Sequence, residues 1–170
     1  SADTIIIGIF LFGSEITIYT ISSKLAILIG IAFMSKLPGA YFPTLSKLFS
    51  QKDYNSLRNI TKNILSYTLR IAIIGSVFLY FGNSSLVTLW VGPEYYAGYN
   101  LNMVFISWLM IDAFHRGTSV VIQASGRLKQ WALISFLEAV INVLLSIVLI
   151  KQYGLFGVAI STTIARLFTS

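Results

Sequence analysis

The sequence predicts an all-α, polytopic transmembrane bundle, and three observations carry that expectation. Its 170 residues are 56% hydrophobic and only 11% charged, with a mean hydropathy of +0.79, far too apolar for a water-soluble domain of this size. Several windows supply the roughly 20 mostly apolar residues that a helix needs to cross hydrocarbon. Most of the charge is gathered into short segments between those windows. Lipid is therefore the expected solvent, with about four complete spans and partial ones at both ends.

Residues 1–21, SADTIIIGIFLFGSEITIYTI, join an apolar run to Gly8, Gly13 and Glu15, and read as the end of one span followed by a bent, partly helical connector. The first complete span covers about 25–45 and contains Lys36, Pro38, Gly39 and Pro43. Pro38 removes a backbone donor and crowds the preceding turn, so a kink is expected. Further spans cover about 64–82, 101–124 and 132–150, and another runs from 155 to 170. The first residue is not Met, and the last ones, ARLFTS, stop inside an apolar run. The expectation is a fragment of a longer chain, with any targeting information upstream, since no signal-peptide pattern is visible. Cysteine is absent, which excludes disulfides and thiolate metal sites within this piece.

The net charge of +6 invites a nucleic-acid reading, but the placement of the charges argues against it. Lys47, Lys52, Arg58 and Lys62 lie between the first two complete spans, and Arg127 and Lys129 between the third and fourth. The opposite side has only Lys24 and Lys151, and NSSLVTLWVGPEYYAGYN has no basic residue at all. By the positive-inside rule, loops 46–63 and 125–130 are expected to be cytoplasmic, in a multi-pass protein of the cytoplasmic membrane. Trp90, Tyr95, Tyr96 and Tyr99 then form an outer aromatic belt and Trp131 an inner anchor. Asp53 is placed to N-cap an amphipathic helix bearing Tyr54, Leu57 and Ile60.

The chemistry is concentrated in IDAFHRGTSVVIQ, where Asp112, His115 and Arg116 interrupt an apolar span. Asp112 and Arg116 are four apart and share a helix face, so they can neutralise each other. Ser119 and Gln123 extend that face, and Ser135, Glu138, Asn142 and Ser146 make a second stripe on the next span. The short connector SGRLKQ makes the two spans an antiparallel hairpin whose stripes face each other or a shared cavity. Ser, Asn and Gln in membrane helices commonly serve as interhelical glue, the ordinary reading for Ser119, Ser135, Asn142 and Ser146. An ionisable group at mid-bilayer costs at least about 2.5 kcal/mol and marks a pathway or relay, which singles out Asp112, Arg116 and Glu138. His115 can titrate near neutral pH or simply pack. Arg70 and Lys36 either snorkel or line an inward-facing basic vestibule that attracts an anionic head group. No zinc motif, phosphate loop or nucleophile elbow is present, so neither catalysis nor a metal or other cofactor is expected.

The order of DTIIIGIFLFGSEITIYTISSKL, FPTLSKL, QASGRLK and YGLFGVAISTTIA resembles the C-terminal half of bacterial polysaccharide and O-antigen flippases, the oligosaccharidyl-lipid branch of the multidrug/oligosaccharidyl-lipid/polysaccharide exporter superfamily. The resemblance covers essentially the whole chain. It implies a transporter of two similar six-helix bundles, residues 1–170 being most of the second, turning a polyprenyl-pyrophosphate oligosaccharide across the cytoplasmic membrane. It also implies membrane lipid, a proton or sodium as candidate coupling ion, and other polysaccharide assembly proteins as partners. The trio Asp112, His115 and Arg116 lies outside the recognised pattern. The cation-coupled multidrug exporters of the same superfamily are one alternative, disfavoured by Arg70, Arg116 and Lys36. Others are a membrane glycosyltransferase or polymerase and a non-transporting scaffold of similar fold.

Overall fold

The computed structural model describes residues 2–11 and 13–169, and among them every regular element is helical. A short α1 (Ala2–Phe10) turns into α2 (Gly13–Leu28), which passes through a π-helical segment (Ile29–Met34) into α3 (Lys36–Gln51). Next come α4 (Tyr54–Trp90), a 3₁₀ turn at Pro93–Tyr95, α5 (Tyr99–Ala124) and α6 (Leu128–Thr169). Among the described residues three stretches, Gly13–Gln51, Tyr54–Trp90 and Leu128–Phe168, are long and apolar enough to cross a membrane. The chain is thus an all-helical membrane bundle.

Upstream of Pro38, where a kink is expected, the helix carries a π-helical segment. A proline disturbs the bond to the residue four positions back, here Met34. The π segment ends at that residue, with the Ser35 amide bonded to the Gly30 carbonyl at 3.2 Å, five residues back. Inserted π turns of this kind are sites where a helix changes direction.

Asp53 does cap a helix, its Oδ1 accepting from the Ser56 amide at 3.0 Å. That helix is not a separate amphipathic piece, however, but the first turns of α4, which spans 37 residues. Its other end also outruns the sequence reading, since 83–90 is helix and the connector shrinks to 91–98. The polar residues there are used in packing. Asn83 is fully buried and donates to Asn102 Oδ1 at 2.7 Å and to the Ser22 carbonyl at 3.0 Å. Ser22 in turn accepts from the Ala97 amide at 2.8 Å and donates to the Tyr95 carbonyl at 3.0 Å. One end of the bundle is thereby tied together by buried polar bonds, an arrangement suited to hydrocarbon surroundings that offer no competing water.

Within α6, Gly154 has φ 55° and ψ −135°, a conformation that side chains with a Cβ rarely adopt. The chain folds back there into two arms, 128–153 and 155–169. Glu138 meets Arg166, and Asn142 meets Thr162. Four residues forward on one arm match four back on the other, the register of an antiparallel hairpin. Residues 132–150 lie in the first of these helical arms and 155–169 in the second. The main core joins Ile7, Met34, Leu79, Leu109 and Val158, all fully buried.

Candidate functional site

A cavity of about 460 Å³ opens between α1, α2, α5 and the second arm of α6, within the size range of ligand sites. Much of its wall is apolar, including Ile27, Ile31 and Phe105, but three charged side chains also reach it: Arg116, Arg166 and Asp3.

The two arginines belong to a four-membered ionic network. Arg116 Nε donates to Asp112 Oδ2 at 2.5 Å, the helical neighbour contact expected from their spacing. Arg166 reaches the other Asp112 oxygen at 3.7 Å and Glu138 Oε1 at 3.2 Å. Asp112 is 1% exposed, whereas Arg116 and Arg166 keep 25% and 21% of their side-chain surface accessible. The cations form the cavity wall, and neither Asp112 nor Glu138 lines it. Within this network two guanidiniums are balanced by two carboxylates, and it is the guanidiniums that face the void.

Backbone geometry admits this network. Gly30 packs so close that a Cβ there would lie 3.2 Å from both Arg116 Nη2 and Asp112 Oδ2. Beside it, Ser35 accepts from Arg116 Nη1 at 2.5 Å. The π segment therefore brings its smallest residue, and the residue that follows it a hydroxyl, against the charge pair.

Asp3 forms the opposite pole. Its carboxylate accepts from Tyr19 Oη at 3.2 Å and from Thr162 Oγ1 at 3.1 Å, and Asn142 Nδ2 donates to Thr162 at 2.8 Å. An acid held by α1, α2 and the α6 hairpin thus shares the void with two guanidiniums. No group of three metal-binding side chains is found among the described residues.

Of the residues singled out in the sequence, Asp112, Arg116 and Glu138 meet in the network, and Asn142 supports Asp3 through Thr162. His115 is partly buried on α5 within the electrostatic field of all four charges. Gln123 is partly buried nearer the end of α5 and does not line the cavity. Arg70 and Lys36 are exposed and likewise stand outside the cavity wall. Ser146 is fully buried, and Ser119 donates weakly to the Arg116 carbonyl at 3.5 Å. The sequence reading missed Arg166 and Asp3. An arginine in the otherwise apolar STTIARLF and an acid opening the run DTIIIGIF were the available signals, because each is a charge inside hydrocarbon-length sequence.

Fold and site together define a class: an all-helical membrane bundle with a largely apolar cavity into which two arginines and one aspartate reach. No family model matches the chain, and no solved structure matches it. Over 166 residues, 95% of its length, it is 28% identical to a Shigella flexneri protein named "Putative O-antigen transporter". It spans 38% of that relative's length.

Proposed function

We propose that this chain is part of a transporter that moves a polyprenyl-diphosphate-linked oligosaccharide across the cytoplasmic membrane for surface polysaccharide assembly. The observation that carries this reading is the placement of Arg116 and Arg166 in the cavity wall with Asp112 and Glu138 outside it. A diphosphate needs planar, forked donors in a sheltered site, and guanidiniums supply them in pairs. The similarity to the Shigella flexneri protein named "Putative O-antigen transporter" supports a role in polysaccharide transport. In this reading loops 46–63 and 125–130 are cytoplasmic, the lipid tail stays in the bilayer, and Asp3 is the acid through which a proton or sodium ion couples.

A cation-coupled multidrug exporter is the second reading, and Asp3 in the cavity wall is the observation that favours it. The two differ in their dependence on the arginines. In cells whose surface polysaccharide depends on the intact protein, Arg116→Ala and Arg166→Ala are expected to reduce display at normal membrane abundance, with Lys restoring only part. Full display by both Ala variants would overturn the diphosphate role. Retained display with loss of drug resistance on Asp3→Asn would establish the exporter instead.

A further inference from the structure

Ser35 takes part in two interactions at once. Its hydroxyl donates to the Gly30 carbonyl at 3.1 Å and accepts from Arg116 Nη1 at 2.5 Å. The first bond caps a carbonyl of the π segment, and the second reaches a guanidinium of the cavity wall. On its other side the π segment is gripped by α4, where Tyr67 Oη donates to the Phe33 carbonyl at 2.9 Å. The irregular turn is therefore held by polar side chains, one of them tied directly to a candidate anion-binding residue.

Resting on the diphosphate reading above, we propose that Ser35 is a latch that couples anion capture at Arg116 to a change of angle between α2 and α3. An anionic oxygen is a stronger acceptor for a guanidinium than a neutral hydroxyl, because attraction between opposite charges adds to the hydrogen bond. A diphosphate in the cavity draws Nη1 away from Ser35, while Asp112 keeps Nε and so keeps Arg116 on station. Ser35 keeps its bond to Gly30, but the irregular turn is then no longer tied to α5 through Arg116. The arm that responds is α3. The α2 arm is anchored through Ser22 to Asn83 and to the 91–98 connector. By contrast, α3 is packed through Leu45 against Leu57, Ile64 and Val120, apolar contacts that can slide.

Thr44 lies nine residues beyond Ser35, about 14 Å along the helix. A kink change of about 20° carries it about 5 Å.

The test uses the intact protein in lipid nanodiscs, on a cysteine-free background, with spin labels at Thr44→Cys and Lys129→Cys, both exposed sites. Geranylgeranyl diphosphate is the probe, and its binding is measured separately on the same samples. The expected result is a shift of about 5 Å in the label distance on saturation, with no shift from geranylgeraniol. Ser35→Ala should bind the probe yet lose the shift, and Ser35→Thr, which keeps the hydroxyl, should regain it. Probe binding without a distance change overturns the latch and leaves the diphosphate reading standing, as does an undiminished shift in Ser35→Ala. A shift with the alcohol also overturns the latch. Failure of the unsubstituted protein to bind the probe removes the diphosphate reading and the latch with it.

Discussion

Asn142 and Thr162 are twenty positions apart and joined side chain to side chain at 2.8 Å, across the fold-back at Gly154. This bond, with the Glu138–Arg166 pair one turn further along, sets the register of the α6 hairpin and so decides where Arg166 enters the cavity. It also orients Thr162 toward Asp3. Both poles of the site depend on one hairpin.

That dependence makes the hairpin glycines sensitive. A Cβ on Gly157 would lie 2.3 Å from the Leu149 carbonyl oxygen, which is backbone and cannot step aside. Gly157→Ala is expected to lower folded yield and apparent melting temperature markedly. Gly39→Ala meets nothing within 4 Å on its helix and should be neutral or stabilising by up to about 1 kcal/mol through helix propensity. Size-exclusion profiles and thermal scans in detergent compare the two, and equal behaviour would refute the close packing at Gly157.

Asp112 balances two guanidiniums, so its loss should be worse than the loss of either arginine. Breaking a buried ion pair from one side typically costs about 3–5 kcal/mol. Asp112→Ala is expected at the upper end of that range, and Asp112→Ala with Arg116→Ala should recover only part, since Arg166 keeps Glu138 but loses its second carboxylate. A double-mutant cycle on thermal stability checks this. Strict additivity would show that Asp112 and Arg116 do not act as a unit.

Outside the hydrocarbon, Asp53 gives a prediction with pH. Its carboxylate accepts from the hydroxyl and the amide of Ser56, and these bonds hold it below the ordinary carboxylate range. A depressed folded-state pKa contributes stability that is present above the unfolded value and lost as pH falls through the folded one. Asp53→Asn keeps a capping oxygen without the charge. The difference in stability between the two proteins should therefore be flat near neutrality and shrink only in acid. A difference that grew on acidification would contradict the cap.

The proposed orientation is open to labelling. Ser50 and Ser85 are exposed near opposite ends of the bundle. With an impermeant thiol reagent applied outside intact cells, Ser85→Cys should react and Ser50→Cys should not. The reverse pattern would invert the topology and place the basic loops outside.

How much of this could be read from sequence depends on how local each signal is. The Asp112–Arg116 contact follows from four-residue spacing on one helix and the α4 cap from Asp53, while Pro38 marks a disturbed helix without showing that it takes the form of a π segment. Arg166 and Asp3 were missed because their partners come from other elements, Thr162 being 159 positions from Asp3. Periodicity cannot reveal such pairings. The end of α4 was misread for a related reason. Asn83 and its neighbours have the composition of a loop, yet Asn83 is buried against Asn102, a contact only the folded bundle supplies. Arg70 shows the converse, since a charge in an apolar stretch suggests a site, whereas this bundle leaves its side chain exposed.

The α6 fold-back also bears on biogenesis. Helix α5 carries Asp112 and Arg116 on one face, so it can enter the bilayer already neutralised by a contact within itself. The arms of α6 cannot, because Glu138 sits on the first and Arg166 on the second, and each lacks that mutual contact until Gly154 brings them together. A translocon that released the first arm alone would leave a carboxylate facing acyl chains, at a cost of about 2.5–3.5 kcal/mol. Handing both arms over as one preformed hairpin avoids this. The glycine that shapes the cavity would thus also couple the two arms of α6 during membrane insertion.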